Sequence, residues 1–354
     1  MRSLGKRLVI ATAAVGTPMG AQNYEKQITA RAPDALAPGD HSWTVDHLVI
    51  RSMRSTLPGN RRLPMGLVIG MSMRSRRRIG RWLYGRGDVI HRMSLELPPS
   101  PYSDVMTVHD VVSWRYPDES PPVDAAIDEA RAADAVICVS EFTAQEAVDL
   151  LGVRNPWVVP NGVDERFYDA TPLDDAARQR LGIFGPYVLH TGGATQRKNL
   201  ESLADAWSVV HRERPGLQLV LAGPPHPRRS RLLAHLPQTK LLGRVPDEVV
   251  PNLVAAADAV VVPSLYEGFG LPVLEAMAAN VAVVAADTSS LPEVAGHAAI
   301  LVPPTSSGLA EGILNATSDD PEVAARVTAG RSRATEFSWE RSAEGHASVW
   351  KALA

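Results

Sequence analysis

The sequence predicts an α/β protein with two parallel β-sheets, one in each of two domains. Its 354 residues exceed what a single typical hydrophobic core organises. Short apolar runs alternate with helical patterns in both halves of the chain. These runs are continuously apolar, which is typical of strands that helices cover on both faces. The hydrophobic content of 45% is sufficient for two such cores.

The apolar runs give the predicted strands and the domain boundary. In the first half they are Leu8 to Ala14, His47 to Ile50, Leu67 to Met71, Asp88 to His91, Val105 to Val108, Ala135 to Val139 and Trp157 to Pro160. In the second half they are Tyr187 to His190, Leu217 to Gly223, Lys240 to Gly243, Asp258 to Pro263, Val281 to Ala285 and Ala299 to Val302. The polar stretch Asp164 to Arg180 separates the halves, so we predict domains at residues 1–163 and 164–338, followed by a helix at 339–354.

Positive charge is concentrated in one region of the first half. The net charge is −3, yet residues 51–92 hold eleven arginines against one acid, Asp88, which leaves about −13 for the rest of the chain. Ile79, Trp82, Leu83 and Tyr84 interleave with arginines, a mixture expected of an interfacial helix. The region is predicted to meet an anionic surface, either the cytoplasmic leaflet or a lipid-phosphate acceptor, and the alternative is a solvated basic face.

The cysteine content and the hydropathy indicate a reducing compartment. Cys138 is the one cysteine and lies in an apolar run, so we interpret it as a core residue rather than a nucleophile. No apolar stretch approaches the length of about 18 residues that a membrane-spanning helix needs. Lys6-Arg7 followed by Leu8 to Val15 could imitate a signal peptide, but we predict a buried first strand there. A cytoplasmic location is expected, with peripheral contact at the inner face of the membrane.

Residues 264–279, Ser-Leu-Tyr-Glu-Gly-Phe-Gly-Leu-Pro-Val-Leu-Glu-Ala-Met-Ala-Ala, are the most informative stretch. An apolar run, a glycine-containing turn and Pro272 indicate a strand, a turn and a helix N-terminus. The amides of residues 268–271 would form an anion site there. Glu267 and Glu275 can point at the same pocket, so a ligand with a phosphate and several hydroxyls would fit. The alternative is a solvated Glu267 and a Glu275 that complements the helix dipole.

A second glycine turn follows the first strand of the second half. Gly192 and Gly193 allow backbone amides to approach an anion, and Arg197 and Lys198 supply the positive charge that a diphosphate requires. The alternative is a solvated helix start.

Two features of the first half are weaker. The turn from Gly16 to Gly20 lacks the spacing of a dinucleotide site. His109 ends a predicted strand and could reach a ligand, although a lone histidine can also be structural. Asp110 either orients the His109 ring or caps the next turn. Ser140 is a predicted helix N-cap.

The spacing Glu267-x7-Glu275 with Gly-Phe-Gly-Leu-Pro between resembles glycosyltransferase family 4, the retaining enzymes of GT-B fold. The resemblance implies two Rossmann-like domains that face each other across a cleft, with the last helix crossing back to the first domain. It implies catalytic roles for His109, near the reacting sugar carbon, and Glu267, which contacts the hexose. It also implies donor binding by Gly16, Gly20, Gly192, Gly193, Arg197, Lys198, Gly268, Phe269, Gly270, Leu271 and Glu275, of which Glu275 holds the ribose. Residues 20–24 resemble the family's Gly-x-Gly-x-Tyr loop, but Gln22 stands where this loop usually has its second glycine.

The function that the resemblance implies is hexose transfer with retention from a GDP- or UDP-sugar, with GDP-mannose preferred, in polysaccharide biosynthesis. The acceptor would be a glycan, a lipid-linked glycan or another hydroxyl compound. Alternatives are a GT-B sugar-nucleotide epimerase and a non-catalytic GT-B partner subunit. No nucleic acid is expected as partner. No cofactor or divalent metal is expected, because Asp-x-Asp does not occur in the chain.

Overall fold

The computed structural model describes residues 5–16, 20–38 and 42–354. The chain divides into two compact units: Met1–Gly162 together with Trp339–Ala354, and Val163–Ser338. We call them unit 1 and unit 2. Each is a parallel β-sheet with helices packed on it.

Unit 1 contains a seven-stranded sheet in the order β3-β2-β1-β4-β5-β6-β7. Its strands are β1 Arg7–Ala13, β2 Thr44–Ser52, β3 Arg61–Leu63, β4 Val89–Arg92, β5 Ser103–Val108, β6 Ala135–Cys138 and β7 Trp157–Val158. Its helices are α1 Gly20–Leu36, α2 Met65–Val68, α3 Met73–Tyr84, α4 Val112–Arg115, α5 Ala126–Ala132, α6 Glu141–Glu146 with a π-helical turn Ala147–Leu151, and α15 Trp339–Leu353. All neighbouring strands of this sheet run parallel.

Residues of β1 alternate between two cores of unit 1. Leu8 and Ile10 pack with α1 and α15 on one face, whereas Val9 and Ala11 pack with α3 on the other. Both faces are covered, which explains the continuous apolar run of β1. Cys138 is buried in β6, and burial raises the pKa of its thiol to about 12, so the thiol stays protonated.

Unit 2 contains a six-stranded parallel sheet in the order β10-β9-β8-β11-β12-β13. Its strands are β8 Tyr187–Thr191, β9 Gln218–Ala222, β10 Thr239–Gly243, β11 Ala259–Val262, β12 Ala282–Ala286 and β13 Ile300–Val302. Its helices are α7 Asp175–Arg180, α8 Leu200–Glu213, α9 Pro227–Leu233, α10 Val250–Ala255, α11 Leu271–Ala278, α12 Leu291–Ala295, α13 Ser306–Ala316 and α14 Pro321–Ala334, with 3-10 turns at Glu165–Phe167 and Gln196–Lys198. The order reverses between β8 and β11, and open α/β sheets bind ligands beyond the carboxyl ends of the strands at such a reversal.

One strand prediction for unit 1 was wrong, and one strand was missed. Leu67 to Met71, predicted as a strand, falls in α2 and the turn after it, and the side chain of Leu67 is 69% exposed. A short apolar run flanked by glycines does not distinguish helix from strand. The edge strand β3 was missed, because two of its three residues are arginines and give no apolar signal.

The interpretation of α3 as an interfacial helix was wrong for two of its apolar residues. Leu83 and Tyr84 are buried in the core of unit 1 and do not face outwards. Arg76 is also fully buried, and its guanidinium lies 2.5 Å from the carboxylate of Glu129. Arg92 of β4 pairs with the same Glu129 at 3.2 Å and with Asp104 at 2.9 Å. At least these two of the eleven arginines are therefore structural.

Candidate active site

The two glycine turns of unit 2 lie side by side, because β8 and β11 are neighbours in the sheet. The amide of Leu265 donates to the carbonyl of Arg197 at 2.7 Å. The side-chain amide of Asn199 donates to the carbonyl of Pro263 at 3.0 Å. The residues that sequence reasoning assigned to a diphosphate therefore brace the turn that carries Glu267.

Glu267 is 8% exposed, and its carboxylate has three hydrogen-bond partners. Lys198 Nζ donates to Oε1 at 2.5 Å and Arg197 Nη1 donates to Oε2 at 3.1 Å. The hydroxyl of Ser264 donates to Oε1 at 2.7 Å. Although burial alone would raise the pKa of Glu267, the two cations and the hydrogen bonds hold this pKa at about 2. The carboxylate is therefore ionised at neutral pH, and with its two cations the cluster carries a net charge of about +1.

Two serines and a glycine fix the backbone after Glu267. The Glu267 amide donates to Ser289 Oγ at 3.1 Å, and Ser290 Oγ lies 2.9 Å from the carbonyl oxygen of Glu267. Gly270 has a φ of 106°, and a Cβ there would lie 2.8 Å from a methyl group of Leu291. Position 270 therefore requires glycine for both conformation and space.

The amides of Phe269, Gly270 and Leu271 donate to no group in the described part of the chain. Phe269 and Gly270 precede α11 and Leu271 is its first residue; the first turn of this helix contains Pro272 as predicted. Unpaired amides at a helix N-terminus form an anion site, since the helix dipole also favours negative charge there.

Arg229 of α9 holds the other glycine turn and was missed by sequence reasoning. It is 2% exposed, and its Nη2 donates to the carbonyls of Gly192 and Gly193, at 2.8 Å for the latter. In a planar trans peptide the C=O and N–H groups point in opposite directions. The guanidinium therefore turns the amides of Gly193 and Ala194 away from itself, and these amides donate to no described residue.

Gly223 allows this approach of Arg229. It has a φ of 147°, and a Cβ there would collide with the carbonyl of Gly192 and lie 3.0 Å from the Arg229 guanidinium. Nothing in the local sequence distinguishes Arg229 from the arginines near it, because its role depends on a turn more than thirty residues away.

His190 of β8 lies beneath the same turn and was also missed as a site residue. Its Nδ1 lies 3.1 Å from the carbonyl of Val261, so this nitrogen is the donor, and its buried Nε2 has no partner. Burial lowers the pKa of His190 to about 4. The ring is thus neutral at pH 7 and leaves an acceptor nitrogen for a ligand or a water molecule.

The side-chain carboxyl of Glu275 in α11 has no hydrogen bond or ion pair with the described residues. It is half-buried, and burial together with the charge of Asp164 raises its pKa to about 7, against the opposing effect of Arg166. Arg166 itself forms an ion pair with Asp164 at 2.9 Å. The two glutamates of the motif therefore differ sharply in their surroundings.

His109 follows β5 in unit 1, where the sequence predicted it. Its Nε2 is buried without a partner, and its ring meets the Tyr24 ring edge-to-face with 4.6 Å between centroids. Burial lowers the pKa of His109 to about 4, so the ring is neutral at pH 7. The amide of Val112 donates a hydrogen bond to Asp110 Oδ1 at 3.2 Å. This bond is the one expected if Asp110 caps the turn after β5.

Tyr24 belongs to a chain of hydrogen bonds that reaches α15. Its hydroxyl lies 2.5 Å from His346 Nε2 and 2.8 Å from Thr107 Oγ1. Thr107 also lies 2.8 Å from His91 Nε2, and Trp350 donates to His91 Nδ1 at 3.2 Å. The chain ends where His346 Nδ1 donates to the carbonyl of Ser342 at 2.7 Å.

The two ends of this chain fix the direction of every bond in it. An indole N–H can only donate and a carbonyl can only accept. His91 therefore carries its proton on Nε2, and His346 carries one on Nδ1. Burial lowers the pKa of His346 to about 4 and that of His91 well below its ordinary value, so both rings are neutral and His346 Nε2 accepts from Tyr24.

Gly16 and Gly20 both lie at the surface of unit 1. Gly16 follows β1 and Gly20 is the first residue of α1. Residues 17–19 of the predicted turn lie outside the described residues. No group of three or more histidines, cysteines or acids with metal-binding geometry occurs among the described residues. Likewise, none of the described helices is long and apolar enough to cross a membrane.

Comparisons with known proteins identify the class. Residues 22–167 match the model of Glycosyltransferase Family 4, and residues 185–319 match Glycosyl transferases group 1. Together with the two doubly wound sheets, these matches define a glycosyltransferase with two Rossmann-like domains, the GT-B fold. Sucrose-phosphate synthase of Thermosynechococcus elongatus has the same fold, with a TM-score of 0.73 and 22% identity over 98% of this chain and 99% of that chain.

Two relatives then identify the family. O-antigen chain mannosyltransferase B of Escherichia coli is 30% identical over 285 residues, which cover 75% of this chain and 74% of that protein. Alpha-maltose-1-phosphate synthase of Mycolicibacterium smegmatis is 31% identical over 298 residues, 76% of this chain and 74% of that protein. The chain belongs to glycosyltransferase family 4.

Proposed function

We propose that this enzyme transfers a hexose, with retention, from a nucleoside-diphosphate sugar to a hydroxyl acceptor, and that the donor is GDP-mannose. The observation that carries the proposal is the pairing of Glu267 with Lys198 and Arg197 next to unpaired amides at the sheet reversal of unit 2. The similarity to a mannosyltransferase favours mannose as the sugar.

The proposed mechanism is mainly electrostatic. The departing diphosphate gains negative charge while the anomeric carbon becomes oxocarbenium-like, so preorganised cations and amides stabilise the transition state more than the ground state. Lys198, Arg197 and the amides of Phe269 to Leu271 would supply this field. Because Glu267 neutralises part of the positive charge, the site does not over-bind the diphosphate before reaction.

Glu267, Glu275 and His109 would each contact a different part of the donor. We assign Glu267 to the hexose and Glu275 to the ribose hydroxyls, where its partnerless carboxyl would gain hydrogen-bond donors. We assign His109 to the sugar near its reacting carbon, where the buried Nε2 would gain a partner. A neutral imidazole can exchange hydrogen bonds with hydroxyls but adds no charge.

A donor screen tests this function. The purified chain is incubated with GDP-mannose, GDP-fucose, UDP-glucose and UDP-galactose and a set of glycoside acceptors, and the products are identified by mass and by anomeric NMR couplings. We expect an added hexose with the anomeric configuration of the donor. A changed or merely hydrolysed nucleotide sugar would instead identify an epimerase. Tight donor binding without turnover would identify a non-catalytic subunit.

We also propose that the chemistry needs no divalent metal, because Lys198 and Arg197 would supply the positive charge that neutralises the diphosphate. Transfer should persist in EDTA. Loss of transfer in EDTA with recovery on adding magnesium or manganese would contradict this assignment.

We further propose that the outer face of α3 contacts an anionic membrane surface. Arg74, Arg77, Arg78 and Arg81 are exposed there, and the side chain of Trp82 is 72% exposed. Each basic residue near anionic lipid contributes about 1 kcal/mol, and an interfacial tryptophan anchors such a helix.

Liposome flotation tests the membrane proposal. Arg77→Glu/Arg81→Glu and Trp82→Ala should each reduce flotation with anionic liposomes, whereas Arg154→Glu, an exposed arginine elsewhere in unit 1, should not. Flotation that is absent, or independent of anionic lipid and salt, would leave a solvated basic face.

A further inference from the structure

His346 is a polar side chain in the largely apolar buried face of α15. This face also contains Trp339, Ala343, Ala347 and Trp350, at the spacing of one side of a helix. His346 is fully buried, and both of its ring nitrogens are hydrogen-bonded. Burying an imidazole costs free energy unless its nitrogens find partners, whereas an apolar side chain at this position would need none. The partners of His346 therefore indicate what this histidine does.

The hydroxyl of Tyr24 uses His346 as its proton acceptor. His346 Nδ1 donates to the carbonyl of Ser342, so its Nε2 accepts from the Tyr24 hydroxyl at 2.5 Å. A phenol hydroxyl has a single proton. In its second bond, to Thr107 Oγ1 at 2.8 Å, Tyr24 is therefore the acceptor. Two bonds of fixed direction thus hold the outer end of the Tyr24 side chain, and the one that takes its proton comes from α15.

The ring of Tyr24 packs against the ring of His109. The two rings meet edge-to-face, with 4.6 Å between their centroids and an interplanar angle of 89°. Aromatic pairs prefer such an arrangement to a face-to-face one, so the Tyr24 ring restricts the orientations that the imidazole can adopt. The direction of the buried, partnerless His109 Nε2 therefore depends on where the Tyr24 ring lies.

We propose that His346 is a positioning residue: by holding the hydroxyl of Tyr24, it fixes the ring against which His109 packs and thereby the direction of His109 Nε2. The role in the reaction rests on the proposed function, in which this nitrogen meets the donor sugar near its reacting carbon. Positioning matters there, because a displacement of about 1 Å at a reacting centre can lower a rate about 10²-fold. The last helix of the chain thus supports the chemistry in addition to covering the sheet.

Steady-state kinetics on three variants test the role in the reaction. His346→Phe removes the acceptor and keeps a ring, whereas Tyr24→Phe removes the hydroxyl alone. Each should lower kcat about tenfold and leave the donor KM within about twofold, because the imidazole is displaced while the groups that bind the diphosphate stay in place. His346→Gln should keep kcat within about threefold of the wild type, since its carboxamide oxygen can accept from the Tyr24 hydroxyl.

A double-mutant cycle shows whether His346 acts through His109. Adding His346→Phe to His109→Ala should lower kcat no further than about twofold, because no imidazole is left to position. Val349→Ala is the matched control, since it removes buried apolar contacts on the same helix and no hydrogen bond. It should lower the melting temperature and leave kcat within about twofold. Losses of kcat that multiply in the double variant, or that follow the melting temperature in all variants, would assign His346 a purely structural role.

NMR of the ligand-free chain observes the His109 ring without turnover. Carbon-13-labelled histidine gives a Cε1–H signal for each of the ten histidines, and His109→Ala identifies the signal of His109. Both His346→Phe and Tyr24→Phe should shift or broaden this signal, whereas His346→Gln and Val349→Ala should leave it unchanged. Tyr24→Phe keeps an aromatic ring at position 24, so a changed signal in this variant reports a moved ring rather than a lost neighbour.

The two measurements separate the failure of this proposal from the failure of the proposed function. A His109 signal that is unchanged in both phenylalanine variants refutes positioning, whatever the enzyme transfers. A changed signal in a chain that transfers no hexose in the donor screen refutes the proposed function and keeps the positioning of His109. If His346→Phe does not fold, Tyr24→Phe decides the outcome, because it removes a single oxygen atom.

Discussion

Glu267 and Glu275 lie eight residues apart, on one turn and the helix that follows it, yet their environments are opposite. Glu267 is ionised and fully paired, with a pKa of about 2. Glu275 is partnerless, with a pKa of about 7. The first carboxylate is part of the framework before any ligand arrives, whereas under the proposed function the second would gain partners only when the donor binds. The following predictions test this contrast.

The largest effect is expected for Glu267→Ala. Removing the carboxylate leaves Lys198 and Arg197 facing each other without their anion, and breaking a buried pair costs about 3 kcal/mol or more. The kcat should fall about 10²- to 10³-fold, since the cations lose the geometry on which electrostatic stabilisation depends.

A double-mutant cycle separates the two consequences of that change. Adding Lys198→Met should recover part of the stability that Glu267→Ala lost, without recovering activity, as measured by urea unfolding and steady-state kinetics. Full activity in Glu267→Ala would contradict both the site and the contrast.

Arg229→Lys should have the next largest effect, on the donor KM. A lysine keeps the charge but not the fork that grips two carbonyls, so the amides of Gly193 and Ala194 lose their fixed direction. We expect the donor KM to rise about tenfold with a smaller change in kcat.

Nucleotide binding provides the specific readout for Arg229. GDP affinity should fall more than GMP affinity if the oriented amides serve the second phosphate. Arg231→Lys, an exposed residue of the same helix, is the matched control. Equal losses for GDP and GMP would assign Arg229 a purely structural role.

Glu275→Gln should raise the donor KM about three- to tenfold and leave kcat within about twofold, because the ribose does not change during reaction. Steady-state kinetics with 2′- and 3′-deoxyribose analogues of the donor provide the check. The variant should lose its discrimination against the analogue that lacks the contacted hydroxyl. A fall in kcat equal to that of Glu267→Ala would refute the division of roles.

The smallest effect is expected on the pH dependence of stability, to which the two glutamates contribute with opposite signs. The low folded pKa of Glu267 stabilises the chain above pH 4.5, and this contribution is lost as the pH falls towards 2. The raised folded pKa of Glu275 destabilises the chain as the pH rises from 4.5 to 7. Glu275→Gln should therefore stabilise the protein at pH 8 by about 1 kcal/mol, discounted for partial solvation, and Glu267→Gln should destabilise it. Thermal melts at pH 5 and pH 8 measure these changes in stability. A change of the same sign in both variants would contradict the contrast between the two glutamates.

Much of the fold could be predicted from local sequence because the core strands are continuous apolar runs between turn residues. The short strand Arg61–Leu63 and the helix Met65–Val68 could not, since neither carries a periodic signal. The burial of Arg76 depends on Glu129, 53 residues away, so it is invisible to any local pattern.

The candidate site was also predictable only in part. A recognisable spacing after strands identified the glycines of the two turns, Arg197, Lys198, Glu267 and Glu275. Their mutual contacts were not predictable, because spacing does not say which side chains pair. Arg229 and His190 carry no motif, and only the adjacency of β8, β9 and β11 gives them a role.

The hydrogen-bonded chain from Trp350 to Tyr24 has a consequence for biosynthesis. The strands of unit 1 leave the ribosome early, but the helix that covers Tyr24 and His91 follows only after residues 163–338. At 5 to 20 residues per second this delay lasts about 10 to 35 s. During that time the sheet face that later receives Trp339 and Trp350 is open to water and to chaperones. Unit 1 therefore matures after unit 2 has been synthesised, although its strands come first in the chain.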